Sequence, residues 1–194
     1  MYGRGPGPLL LIRVAYMMRK TLSVAFCGVI AALCMVLMLL AGVVQVATIA
    51  LPALAGVFLM AIVLELGSKW AWGAYAVVAV LSLLFVAEKE AALMFVLFFG
   101  YYPILKATLD RIRKKWLSWA AKILVFNAAM IADYWIAVNL LMVPQEDFMM
   151  FGVSIPLLLL LLGNVVFVVY DYALFGVVVM YCRRLRDKLH KFLH

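Results

Sequence analysis

Two carboxylic acids, Asp133 and Asp171, stand inside apolar runs of this chain, and these are the residue types best placed to do chemistry. A carboxylate in hydrocarbon is costly unless it is hydrated, paired or protonated, so an acid at such a position marks a binding or relay site by default. Asp171 shares a helix face with Asn164, two turns away. Asp133 has Ala129 and Ala137 one turn to either side, a face small enough for a neighbouring helix to cover. Tyr134 and Trp135 follow it directly, offering a hydroxyl and an indole face. Asp133, Asp171, Asn164, Tyr134 and Trp135 are therefore the expected solute-binding group. At about 1.5 Å per helical residue, Asp133 lies roughly 21 Å from Trp119 and Asp171 roughly 18 Å from Arg183, which puts both acids near the middle of a bilayer. No basic residue is expected at that depth. The acids must then be protonated, hydrogen-bonded to Tyr170, Tyr172 or Tyr134, or open to a water-filled or ligand-filled cavity. Protonated acids that simply cross-link helices are the structural alternative.

Other chemistries lack their residues. No phosphate-binding glycine loop with its lysine occurs, so the chain does not hydrolyse ATP. An intramembrane protease needs an activated nucleophile or a metal-bound water, and the only histidines, His190 and His194, sit at the C-terminus. No enzyme activity, cofactor or metal site is expected, because two imidazoles without further ligands do not make a metal centre. Cys27 and Cys34 are two helical turns apart, about 10 Å, too far for a disulfide. With Cys182 they read as small apolar fillers.

The elements that must position these residues follow from composition. With 70% hydrophobic and 13% charged residues in 194, too little polar surface exists to cover a soluble globule, and lipid must cover the rest. One transmembrane domain over 1–194 is expected, all-α, with six spans at about 21–44, 49–66, 70–87, 90–105, 119–143 and 149–182. The last exceeds the 20 or so residues of a straight crossing, and Pro156 is expected to separate a short outer segment from a long final helix.

Charge assigns the sides. Lys89 is the only one of the 17 basic residues to fall in an opposite gap; the others cluster before the first span, in the second and fourth gaps, with Lys122 just beyond the fourth, and after the last span. This gives a multi-pass protein with both termini cytoplasmic (N-in/C-in). The formal charge of +8 is accounted for by membrane lipids as partners, and nucleic acid is not expected.

Smaller features have specific readings. Leu105, Leu109, Ile112 and Trp116 recur at helical spacing, while Lys106, Asp110, Arg113 and Lys114 face elsewhere, predicting an amphipathic cytoplasmic interfacial helix between spans 4 and 5. Ala25, Gly28 and Ala32 form a small-residue strip on the first span, suited to close helix approach within this bundle or against a second protein. Glu65 and Lys69 have the spacing of a helical ion pair. Glu88 and Glu90 suit a helix N-terminus, and Trp70, Trp72, Trp116 and Trp119 read as interface residues.

The basic lead-in Arg19-Lys20, the small-residue helix around Cys27-Gly28-Val29-Ile30-Ala31-Ala32-Leu33, the six-span layout and the basic last helix together resemble the substrate-binding S components of energy-coupling factor (ECF) vitamin transporters. The resemblance implies capture of a small vitamin-like or cofactor-like solute at the outer side of a bacterial inner (plasma) membrane. It also implies a membrane T component and ATPase subunits as partners. Ala25, Gly28 and Ala32 would contact the T component, and residues 43–47 would form the lid. That loop is short, and no signature of a known cargo occurs. A second reading is a scaffolding membrane protein that resembles MreD of the bacterial cell-shape machinery, with its acids satisfied internally and no ligand.

Overall fold

The computed structural model describes residues 8–43, 47–139, 149–150 and 153–184. They form an all-helical bundle: α1 (Pro8–Ala41), α2 (Ala50–Glu65), α3 (Ser68–Phe85), α4 (Lys89–Met94), a π-helical turn (Phe95–Phe99), α5 (Tyr102–Leu109), α6 (Lys115–Asn139) and α7 (Ile155–Arg184). Before α7, β1 (Met149–Met150) and β2 (Val153–Ser154) make a minimal antiparallel ladder with Met149 opposite Ser154. Among the described residues, four helical segments are long and apolar enough to cross a membrane: Lys20–Ala41, Ser68–Phe85, Lys89–Leu109 and Leu160–Tyr181. α2 is a shorter apolar helix, and α6 carries Lys122, Asn127 and Asp133 along its 25 residues. The architecture is compatible with a membrane-embedded protein. Residues 44–46, within the expected lid, lie outside the described residues, as do the two histidines.

Boundaries follow local chemistry. Gly67 adopts φ +89°, a left-handed conformation that releases the chain from α2 into α3. The break separates Glu65 from Lys69, and the expected helical ion pair does not form, because the two residues sit on different helices. Lys89 donates from Nζ to the carbonyls of Leu83 (3.0 Å) and Val86 (2.9 Å), closing the C-terminus of α3. Glu90 falls in the first turn of α4, as expected. Pro156 occupies the start of α7, where its missing N–H costs nothing.

The expected interfacial helix between spans 4 and 5 is absent. Residues up to Leu109 complete α5, residues 110–114 form a turn, and Trp116 already belongs to α6. The Ser118 hydroxyl donates to the Leu109 carbonyl (3.0 Å) and fixes this turn.

The α4–α5 segment is a single bent rod through the core. At its π turn the Gly100 N–H reaches back five residues to the Phe95 carbonyl (2.7 Å). The Val96 carbonyl accepts the Tyr75 hydroxyl instead (2.7 Å), and a Cβ on Gly100 would stand 2.6 Å from the Tyr75 ring. Pro103 has no N–H to offer the Phe99 carbonyl, and there α2 comes close: a Cβ on Gly56 would lie 2.3 Å from that oxygen. Only glycine fits this crossing. The Tyr170 hydroxyl pins α7 to the same stretch by donating to the Ala53 carbonyl (3.3 Å). Around it Phe98, Phe99, Tyr102, Phe126, Phe167 and Tyr170 form a continuous aromatic core, with Phe126 and Phe167 stacked at 4.8 Å.

Candidate functional site: a closed ion ring and one unpartnered acid

α6 and α7 run antiparallel, and polar and aromatic residues meet in register along their seam. At one level Lys122 meets Asp171; one turn on, Phe126 stacks on Phe167; beyond that, Asn127 meets Asn164.

Asp171 is not free for a solute. Its Oδ1 accepts the Tyr102 hydroxyl (2.5 Å) and Lys106 Nζ (2.6 Å), and its Oδ2 accepts Lys122 Nζ (3.3 Å). Lys122 also pairs with Asp110 Oδ1 (2.5 Å), and Lys106 with Asp110 Oδ2 (3.3 Å). Two lysines and two aspartates thus close a ring of formally balanced charge, with Lys122 also 5.2 Å from the Trp119 ring centroid. Lys106 is 2% exposed and Asp171 4%, whereas the Asp110 side chain is 42% exposed and forms the ring's only open corner.

This corrects two expectations. Basic residues do lie at the depth of Asp171, and its partners are Tyr102, Lys106 and Lys122 rather than Tyr170, Tyr172 or Tyr134. Lys106 is one turn from the end of α5, where a helix-face reading puts it in water. Side chains lean toward the helix N-terminus, though, and a four-carbon stem extends the reach, so the ammonium enters the bundle.

Asn164 is also occupied. Its amide and that of Asn127 donate to each other's oxygens (3.1 and 3.2 Å), and each returns a hydrogen bond to its own helix, at Leu160 (2.7 Å) and Ile123 (2.8 Å). Asp171, Asn164 and Asp133 therefore do not line one polar interior. The first two are locked as cross-links at successive levels of the seam.

Asp133 differs. Its Oδ1 is buried and accepts no hydrogen bond among the described residues. Glu90, in the first turn of α4, lies within electrostatic reach. A carboxylate oxygen withdrawn from solvent without a donor favours a cationic or N–H-bearing guest or a proton. Tyr134 is half-buried beside it. Trp135 is 65% exposed on the outside of the bundle, so it does not share an interior site with Asp133. No group of three His, Cys, Asp or Glu side chains able to hold a metal occurs among the described residues.

Ala25, Gly28 and Ala32 all lie exposed on α1, and a Cβ on Gly28 would meet nothing within 4 Å. The strip is not used for packing inside this bundle. Cys34 is buried and donates to the Ala55 carbonyl (3.3 Å), and neither Cys27 nor Cys34 is in a disulfide, consistent with fillers.

The residues missed by sequence reasoning are Tyr102 and Asn127, together with the inward roles of Lys106, Lys122 and Asp110. One signal was present: Asp110 is a lone acid among cations, at helical spacing from Lys106. Fold and site define a helical bundle with an ion-paired seam, compatible with a membrane-embedded protein. No protein-family model, curated protein or solved structure matches the chain.

Proposed function

We propose that this chain is a non-catalytic, six-span subunit of a bacterial inner membrane, with both termini cytoplasmic, that captures a small vitamin-like or cofactor-like solute from the outer side. It relies on partner proteins for energy, in the manner of an ECF S component. The observation that carries the reading is the buried, unpartnered Oδ1 of Asp133 with Glu90 nearby. In the proposed orientation both acids lie in the outer half of the bundle. A buried carboxylate selects a solute that presents positive charge or N–H donors. The outward strip of Ala25, Gly28 and Ala32 is the docking face for a transmembrane partner, where absent side-chain bulk lets a second helix approach closely.

The test is mass spectrometry of small molecules that co-purify with the chain. A stoichiometric solute absent from a detergent blank supports the reading; an empty protein in several mild detergents contradicts it. The MreD-like scaffold is favoured by a different observation, the complete internal pairing of Asp171 and Asn164. Under that reading Asp133 also finds its partner within the protein, and no solute co-purifies.

A further inference from the structure

α7 presents a stripe of Tyr172, Phe175, Gly176, Val179, Met180 and Arg183, which recur at the i, i+3, i+4, i+7, i+8, i+11 spacing of one helix face. Over Gly176 the stripe dips into a shallow, open groove on the α7 surface bordered by Phe175, Val179, Met180 and Arg183. The missing side chain creates the dip: a Cβ on Gly176 would meet nothing within 4 Å. The groove is apolar along its length and cationic at one end, where Arg183 is exposed and has no acidic partner among the described residues.

We propose that this groove seats an acyl chain of an anionic phospholipid, with the lipid phosphate held by Arg183. The apolar and cationic parts lie in the order a phospholipid requires. From Gly176 to Arg183 the helix rises roughly 10 Å, a distance that an acyl chain spans while its phosphate stays at the interface. Guanidinium geometry matches two phosphate oxygens at once, and the inner leaflet, where Arg183 lies in the proposed orientation, carries the anionic lipid. A protein helix laid in the same groove would have to bring an acid to Arg183. The lipid already carries its anion. The inference rests on membrane embedding and on the orientation proposed above, and is independent of solute capture.

The experiment uses the full chain, reconstituted in equal phosphatidylglycerol and phosphatidylcholine, extracted in mild detergent and weighed by native mass spectrometry. Wild type is expected to retain one phosphatidylglycerol in roughly tenfold preference over phosphatidylcholine, as a charge-assisted contact allows. Gly176→Leu fills the dip without meeting the fold and abolishes retention of both lipids. Arg183→Gln keeps one lipid and loses the preference, and this arm decides alone should the leucine variant not fold. Equal retention of the two lipids by wild type, unchanged retention in Gly176→Leu, unchanged preference in Arg183→Gln, or a second protein chain in place of the lipid would each overturn the proposal.

Discussion

Asp171 of α7 and Lys106 of α5 are 65 residues apart in sequence, and their charged atoms are 2.6 Å apart. The pair joins helices that the sequence separates by all of α6, and it is completed by Lys122 and Tyr102. A buried pair of this kind stabilises less than it constrains. Removing one partner leaves a desolvated charge, while replacing both with apolar groups of similar size is often close to neutral.

Lys106→Met should therefore lower stability by about 3–5 kcal/mol, leaving Asp171 with a weakened set of partners. The double variant Lys106→Met/Asp171→Leu should recover most of that loss, because Lys122 and Asp110 still pair with each other. Denaturant titration of the purified variants in detergent checks the cycle. Additive losses would show that the ring does not act as a unit.

Gly56→Ala should be among the most damaging small substitutions, since its methyl group would fall 2.3 Å from the Phe99 carbonyl. Overpacking of this kind costs roughly 1–3 kcal/mol. Alanine at Gly28 or Gly73, where a Cβ meets nothing within 4 Å, should leave the thermal midpoint unchanged or slightly raised. Thermal melts of the three variants test the contrast.

Lys89→Met should loosen only one end of α3. It removes the two hydrogen bonds to the Leu83 and Val86 carbonyls, a loss of about 0.5–1.5 kcal/mol each. Hydrogen exchange should quicken around residues 83–89 while α5 and α6 stay protected; uniform quickening would contradict a local capping role.

Gly28→Leu should leave the fold and its melting behaviour intact, because the side chain enters open space on α1. Assembly with a membrane partner should fail before any solute is lost. A destabilised monomer with normal assembly would show that the strip packs internally.

The sequence made the helical, strongly apolar character legible, because composition and the apolar runs depend on the solvent alone. It placed α1, α3 and the Lys89–Leu109 segment to within a few residues, apart from the earlier start of α1. The interfacial helix was misread because periodicity across 105–116 is the same whether one helix continues or two meet at a turn. Asp133 was legible as an unusual acid. The fate of Asp171 was not, since helix-face arithmetic counts Cα positions, and a lysine one turn from a helix end reaches well inside it. Asn164 posed the same problem: spacing showed its face, but only tertiary register could pair it with Asn127.

The central claim is that Asp133, and not the ion-paired Asp171, holds the solute. Its most direct test is the amount of co-purified solute retained by Asp133→Asn and by the Lys106→Met/Asp171→Leu double variant, each measured beside wild type. Asp133→Asn should fold normally and lose at least about 90% of the solute, equivalent to roughly 1.4 kcal/mol or more of binding, while the double variant keeps it. Full retention in Asp133→Asn, or loss in the double variant alone, would contradict the account.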